Sequence, residues 1–316
     1  MKTHHNRPMK YVLAFLLVGL GPRSSTCQTS APSAKTVVLH VTVTTDGGGG
    51  YASGVNKDSF AISTDELAAQ ITAFQSSEVP SSICIVLDTT EGLSLLKSPK
   101  GNIVLSALTN GLAEFKSFVQ GTEFSIVGFA ERPQLILDWT EDLNAVEAAI
   151  GSIKLKNRQT ALYDGCLVGL EKLTQAKTRK RVLLIISGSS DNRSQHKFSE
   201  LRRLVRENDV LVYTVGIRDS DFPYNWDVRW QSELAELGTI SGGLFRSAGN
   251  AGSVLFQFAN LSLELKHQYM IGVATNSAFD GKYHRLQLKL KPEGNNQQQL
   301  KGLRVRTREG YVAVAK

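Results

Sequence analysis

Residues 83–88 constrain the fold of this chain more than any other stretch. Five apolar residues in a row are followed by Asp88, Thr89 and Thr90. A continuous apolar run of this kind is typical of a strand buried on both faces, as in a parallel sheet covered by helices. Ligand sites in such sheets lie just beyond the carboxyl ends of the strands. The sequence therefore predicts that Asp88 and Thr90 lie beside a crevice at that end of the sheet.

Strand and helix patterns alternate between residues 79 and 266. Apolar residues spaced by three or four predict the helices, and one helix that contains Leu237 is expected to stop at Gly238. Further apolar runs predict buried strands at residues 124–129, 182–186 and 210–215. This alternation implies right-handed crossovers, so the expected fold class is α/β with a doubly wound, mostly parallel sheet.

The two ends of the chain follow a period of two instead. Apolar and polar residues alternate in residues 37–44 and again in residues 285–290, which is typical of half-buried strands. Neither set of strands is large enough to be stable alone. We therefore expect residues 36–78 and 267–316 to pack together as one small β domain, with an α/β domain at residues 79–266 inserted between them.

The first 27 residues are typical of an export signal. Basic residues precede an apolar core at residues 11–20, which is too short to span a bilayer comfortably. A Ser, Thr, Ala and Pro-rich linker follows at residues 28–35. No later segment approaches 18 apolar residues, so we expect an exported protein, periplasmic or extracellular, without a transmembrane segment in the mature chain. Lipid anchoring at Cys27 is an alternative that lacks the usual aliphatic residue three positions upstream.

The net charge of +7 overstates how basic the folded part is. Four of the 36 Lys and Arg residues lie in the first 27 residues, which contain no acid, so the remainder carries a formal charge of +3. This balance is too small to indicate a nucleic-acid-binding protein.

Three cysteines do not form a disulfide framework. Cys84 lies in the predicted buried strand and Cys166 on an apolar helix face, both typical of small core residues. Whether they are bonded to each other in an oxidising compartment stays open.

Several motifs together resemble a von Willebrand factor type A domain, which has a Rossmann-like fold. They are the strand end at residues 83–92 and two further segments at residues 160–164 and 185–192. More closely, the chain resembles the VWFA-related acidobacterial subgroup of that family, which implies a bacterial protein, through residues 57–60, 139–142, 268–272 and 308–311. The resemblance extends from about residue 37 to the end of the chain.

Residues 60–74 are ambiguous on their own pattern. Residues 63–66 fit a helix capping box, and they equally fit the turn of a β-hairpin between residues 60–62 and 70–74. The resemblance favours the hairpin.

The resemblance implies a metal-ion-dependent adhesion site built from three loops. Asp88 matches the first Asp of its Asp-x-Ser-x-Ser loop, and Thr90 keeps the hydroxyl of the first Ser. Thr160 matches the Thr of the second loop. One carboxylate and two hydroxyls are thus retained.

The same comparison reveals two losses. Gly92 replaces the second Ser, and Gly188 replaces the Asp of the third loop. Mg²⁺ requires six oxygens in near-octahedral geometry, and a lost carboxylate removes a charge that faces the dication. We therefore expect no resident cofactor, with a weakened Mg²⁺ site as the alternative if Glu91 or Asp191 supplies an oxygen.

The resulting hypothesis is a non-enzymatic, adhesion-like protein that binds an unidentified protein partner through these loops. The residues expected to form the binding surface are Glu91, Gly92, Ser94, Gln159, Gly188 and Ser189. Two aromatic residues, Trp226 and Trp230, either anchor a partner or fold back onto their own domain. A structural envelope module without a ligand and a secreted hydrolase with a crevice serine are the alternatives. The hydrolase lacks a motif that brings a base to a nucleophile.

Overall fold

The computed structural model describes most of the chain beyond residue 34. The described residues are 35–45, 50–76, 79–95, 97–98, 101–112, 115, 120–156, 158–217, 228–275, 280–292 and 297–313. The expected export signal, Cys27 and Trp226 lie outside them. No helix within the described ranges is long and apolar enough to cross a membrane.

The strands and helices follow the predicted alternation. In chain order the strands are β1 (Lys35–Thr45), β2 (Phe60–Thr64), β3 (Leu67–Ala68), β4 (Gln70–Gln75), β5 (Ser81–Asp88), β6 (Lys97–Ser98), β7 (Gly101–Asn102), β8 (Glu123–Phe129), β9 (Pro133–Thr140), β10 (Lys180–Ser187), β11 (Leu211–Ile217), β12 (Leu244–Ala248), β13 (Tyr269–Thr275), β14 (Tyr283–Leu290), β15 (Leu303–Arg306) and β16 (Gly310–Val312). The α-helices are α1 (Ile103–Leu112), α2 (Leu143–Gly151), α3 (Leu162–Thr174), α4 (Phe198–Glu207), α5 (Val228–Ser241), α6 (Ala251–His267) and α7 (Gln297–Leu300).

A six-stranded sheet forms the centre of the α/β part, in the order β12-β11-β10-β5-β8-β9. Its strands are parallel except for β9, which runs antiparallel to β8. Helices cover both faces: α1, α2 and α6 contribute to the core on one side, and α3, α4 and α5 to the core on the other. Every residue of β5 is buried. The predicted doubly wound, mostly parallel sheet is confirmed.

Strands from both ends of the chain form two further antiparallel sheets. Their orders are β15-β1-β13-β4 and β16-β14-β2-β3. β1 pairs with β13, and β2 pairs with β14, so each sheet joins strands from before and after the α/β part. A third core cluster fills this region, with Leu39, Val41 and Ile271 fully buried. The expected insertion of an α/β fold between paired terminal strands is confirmed, while the domain limits at residues 78 and 266 stay a prediction.

The predicted turn at residues 63–66 is present, but the predicted pairing of residues 60–62 with residues 70–74 is wrong: β2 pairs with β3, and β4 pairs with β13 in the other sheet. Asp65 and Glu66 have φ values of 47° and 69°, and they connect β2 to β3. Two successive residues with positive φ are the geometry of a type I′ turn, which matches the twist of a hairpin.

The expected stop of α5 at Gly238 is wrong. The helix continues to Ser241, and Gly242, with φ 84°, follows it in the left-handed conformation that commonly ends helices. Gly238 has a packing role instead, because a Cβ there would lie 2.9 Å from the backbone carbon of Leu244.

Cys84 and Cys166 are buried and carry free thiols. Burial raises the pKa of the Cys84 thiol to about 12 and raises that of Cys166 as well. Both thiols are therefore neutral core groups in this structure.

Candidate functional site

Three loops meet at the carboxyl ends of β5 and β10. They are residues 88–94, 158–163 and 188–193, and we call them together the crest. The first loop follows β5, the second precedes α3, and the third follows β10. The crest is where open α/β sheets place their ligands.

Asp88 joins the first loop to the third. Its side chain is 0% exposed, and its Oδ1 accepts a hydrogen bond from the Thr90 N–H at 2.8 Å. Its Oδ2 accepts one from the Gly188 N–H at 3.0 Å and a longer one from the Ser187 hydroxyl at 3.4 Å. Burial raises the pKa of Asp88, and hydrogen bonds from Thr90, Gly188 and Ser187 oppose that shift. Each carboxylate oxygen is thus already engaged by a donor of the chain itself.

The two glycines of the crest lie against the opposite loop. A Cβ on Gly92 would overlap Ser189 Oγ and lie 3.3 Å from Ser189 Cβ. A Cβ on Gly188 would lie 2.6 Å from the carbonyl oxygen of Gly92 and 2.9 Å from its carbonyl carbon. The first and third loops are therefore closed onto each other at the positions where the family's site carries a Ser and an Asp.

Thr160 is held at the crest by its backbone. Its N–H donates to Asn192 Oδ1 at 2.8 Å, and its carbonyl accepts from the Asn192 N–H at 3.0 Å and the Arg193 N–H at 3.2 Å. The Thr160 hydroxyl is buried and has no hydrogen-bond partner among the described residues. Asn192 thus ties the second loop to the third and leaves the hydroxyl of Thr160 unused.

Both carboxylate oxygens of Asp191 accept hydrogen bonds from nearby groups of the chain. These contacts do not support the suggestion that Asp191 replaces the missing carboxylate of the third loop. Its Oδ2 accepts from the Tyr163 N–H at 3.1 Å and from the Ser194 hydroxyl, and its Oδ1 accepts from the Ser194 N–H at 3.3 Å. Helix α3 begins after Ala161, which has no side chain that can cap it. Asp191 supplies that missing cap from the third loop.

Asp164, in the first turn of α3, connects back to the segment that follows Asp191. Its carboxylate accepts from the backbone N–H groups of Gln195 at 3.0 Å and His196 at 3.1 Å, and it contacts His196 Nδ1 at 2.8 Å. Burial opposes ionisation of Asp164, but these hydrogen bonds outweigh it and lower its pKa. The hydrogen bond to Asp164 raises the pKa of His196. Asp164 therefore stabilises the loop before α4.

The outer crest is polar. Glu91 and Arg158 form an exposed ion pair with 3.2 Å between Oε2 and Nε, and Gln159 is exposed beside it. Ser94 lies in a short 3-10 helix, Glu91–Leu95. These residues lie on the first and second crest loops, and their role in binding a partner stays a prediction.

Trp230 is not an exposed anchor. Its side chain is 7% exposed and packs in the core cluster with Leu234 and Leu237 of α5. The physical reason is the amphipathic pattern of α5, which turns Trp230 toward the sheet. Trp226 lies outside the described residues.

Three residues that hold the crest together were not identified as site residues from the sequence. They are Ser187, Asn192 and Ser194. The available signal was their position, since hydroxyl and amide side chains directly after a buried strand commonly bond neighbouring backbone groups.

Within the described ranges, no group of three or more His, Cys, Asp or Glu residues is arranged to hold a metal ion. At the crest itself, the oxygen atoms at positions that match the family's site are one carboxylate, Asp88, and two hydroxyls, Thr90 and Thr160.

The chain is similar to one known family over the region that contains the crest. The sequence profile of the von Willebrand factor type A domain matches residues 82–256, which is more than half of the chain. The chain belongs to this family. No curated protein matches the sequence significantly.

Solved structures with a similar fold are distant in sequence. The PilB minor pilin from Streptococcus sanguinis is 11% identical with a TM-score of 0.48, covering 62% of this chain and 63% of the pilin. A von Willebrand factor type A protein from Catenulispora acidiphila is 11% identical with a TM-score of 0.49, covering 89% of this chain and 75% of that one. Proximal thread matrix protein 1 from the mussel byssus, solved with a zinc-occupied MIDAS motif, is 16% identical with a TM-score of 0.48, covering 63% and 48%. This chain spans less than two thirds of the pilin and of the byssus protein.

Proposed function

We propose that this chain is an exported, non-enzymatic protein-interaction module whose crest binds a partner protein without a metal ion. One observation carries the proposal: both oxygens of Asp88 accept hydrogen bonds from the crest loops, and Gly188 supplies one of the donors. The crest loops are joined by groups of the chain itself. A preformed surface of this kind costs little ordering when a partner binds.

The crest residues do not fit a resident Mg²⁺. The ion prefers six oxygens at about 2.0–2.1 Å, with carboxylates to balance its charge. Asp88 is the one carboxylate at a matching position, and the Gly188 N–H faces its Oδ2. The Cβ positions at residues 92 and 188 are filled by the opposite loop. The unpartnered Thr160 hydroxyl is a remnant of the family's donor set that this closure leaves unused.

The described terminal strands contact the central sheet at the end opposite the crest. At the amino ends of the strands, Arg308 donates to Asp209 at 2.5 Å just before β11. Arg306 donates to the Gly242 carbonyl at 3.2 Å just before β12, and it pairs with the buried carboxylate of Glu264 in α6. The opposite end of the sheet is thus taken up by the chain's own strands.

A hydrolase that uses a crest serine is less well supported. The Ser187 hydroxyl donates to the Ser189 carbonyl at 2.8 Å, and the Ser194 hydroxyl donates to Asp191. His196 is engaged by Asp164. The neighbouring base that activates a serine nucleophile is therefore not part of these contacts.

Affinity capture from extracts of the native envelope tests the proposal. The bait is the wild-type chain, a crest variant with Arg158→Glu and Arg193→Glu, or a control with Lys289→Glu and Lys301→Glu, which reverses the same number of exposed charges on the terminal β region. Each capture is repeated in EDTA. We expect the wild type and the control to retain the same protein with and without EDTA, and the crest variant to lose it.

Three outcomes contradict the proposal. Loss of the partner in EDTA indicates a working metal site. Retention by the crest variant places the binding surface elsewhere. Capture of nothing by any bait favours a structural module without a ligand.

A further inference from the structure

A strip of exposed cations lies beside the crest, in the segment between α2 and α3. Ile153 and Leu155 are partly buried against the core, whereas Lys154, Lys156 and Arg158 are exposed. From Ile153 to Lys156, partly buried and exposed residues alternate, which directs both lysines away from the core, and Arg158 is also exposed. We call Lys154, Lys156 and Arg158 the basic strip.

The basic strip is tied to the first crest loop. The Lys156 N–H donates to the carbonyl of Thr89 at 3.0 Å. Arg158 is 89% exposed in its side chain and reaches Glu91 of the same loop. The strip is therefore a fixed border of the crest.

The positive charge of the strip is largely uncompensated. No acidic residue occurs between Glu147 and Asp164 in the sequence. Among the described residues, neither Lys154 nor Lys156 forms an ion pair, and Arg158 pairs with one exposed carboxylate. An exposed pair of that kind contributes little stability, so it is readily exchanged for a partner's carboxylate.

We propose that the basic strip binds an acidic, extended segment of the partner protein, with carboxylates at alternate positions. This inference rests on the proposed function, and it specifies the chemistry of the partner. Alternate residues of an extended chain are about 6.6–6.8 Å apart. A Glu-x-Glu-x-Glu segment therefore presents its carboxylates on one face, toward the exposed cations of the strip.

A single-stranded nucleic acid fits the crest less well. Such ligands need aromatic side chains on which bases can stack. The aromatic residue of the crest loops is Tyr163, whose hydroxyl donates to Glu233 at 2.6 Å. The crest thus offers cations and hydrogen-bond donors, which suit carboxylates.

The test uses the wild-type chain and two fluorescent peptides of equal length and charge. One peptide alternates Glu and Thr, and the other has the same Glu residues in one block. Fluorescence anisotropy is measured at low and at physiological salt, with a heparin oligosaccharide and an oligothymidylate as competing anions. The variants are Lys154→Glu with Lys156→Glu, and the control Lys289→Glu with Lys301→Glu.

We expect the wild-type chain to bind the alternating peptide more tightly than the block peptide. The Lys154→Glu, Lys156→Glu variant should bind the alternating peptide at least about tenfold more weakly than the control variant does. Binding should weaken with salt. Equal binding of both peptides, equal binding by both variants, or preference for heparin or the oligothymidylate overturns the inference. The proposed function fails separately, when the Arg158 and Arg193 variant keeps its captured partner.

Discussion

The closure of the crest can be tested by adding single methyl groups at three glycines. A Cβ on Gly188 meets backbone atoms of Gly92 at 2.6 and 2.9 Å, and backbone has no alternative rotamer that relieves the overlap. Overpacking of this kind costs about 1–3 kcal/mol of the free energy of unfolding. We therefore expect Gly188→Ala to destabilise the chain by that amount, by forcing the first and third loops apart.

Gly92→Ala should cost less and should depend on Ser189. Its Cβ overlaps the Ser189 hydroxyl, which can move by rotation about χ1 at a cost of about 0.5–1.5 kcal/mol. Ser189→Ala removes that hydroxyl and should recover most of the loss. The double variant is therefore expected to be more stable than the sum of the single changes by at least about 0.5 kcal/mol.

Gly151→Ala is the matched control. Gly151 is the last residue of α2, and a Cβ there meets nothing within 4 Å. The methyl group should be neutral or should stabilise the helix by up to about 1 kcal/mol. Urea unfolding of all variants is monitored by circular dichroism. Midpoints are compared between variants whose free energy of unfolding has the same slope against urea concentration (the m value).

Equal midpoints of unfolding for Gly188→Ala and Gly151→Ala would contradict a closed crest. The same holds if the free-energy changes of Gly92→Ala and Ser189→Ala are simply additive, because the two loops would then not be in contact in solution.

Three further predictions concern single side chains. Asp88→Asn replaces one carboxylate oxygen with an amide NH₂ group, which faces N–H donors. We expect it to lower the free energy of unfolding by about 1–3 kcal/mol, by the same amount in millimolar Mg²⁺ and in EDTA. A larger loss in Mg²⁺ would argue for a bound ion. Asp191→Ala should cost about 0.5–2 kcal/mol through loss of the α3 cap, measured by the same unfolding assay, without affecting binding of the acidic peptide. Burial lowers the pKa of His284, but hydrogen bonds to Asp65 (2.6 Å) and Asp280 (3.1 Å) outweigh burial and raise that pKa above 6.5. The contribution of His284 to stability should therefore be full below pH 6.5 and disappear as pH rises through its folded-state pKa. Thermal unfolding of wild type and His284→Gln across that range measures this difference, and parallel curves would contradict it.

The central sheet could be predicted because its signals are local. The apolar run that ends at Asp88 requires burial on both faces, and the alternation in β14 requires burial on one. These patterns depend on side-chain chemistry within a few residues. They therefore specify strands, helices and the end of the sheet where ligands bind.

Contacts between distant segments could not be predicted in the same way. Gly238 fits the pattern of a helix stop, yet it lies inside α5, where the missing side chain leaves room for the backbone of Leu244 in the next strand. Trp230 is an aromatic residue close to a polar loop, yet the periodicity of α5 turns it into the core. Asp191 is a carboxylate near the crest, yet α3 begins without a cap of its own and takes this side chain. Each outcome depends on packing or hydrogen bonding with another element, which the local pattern does not contain.

The two glycines of the crest are best understood as one structural change. In the sequence alone, Gly92 and Gly188 are two separate departures from the family's metal-site motif. In the structure, Gly188 contacts the backbone of Gly92, and its N–H donates to Asp88. Under the proposed function, the absence of both side chains lets the loops approach, and the approach places the Gly188 N–H against Asp88. A side chain added at either glycine alone would meet the opposite loop, so we expect neither single change to create a metal site.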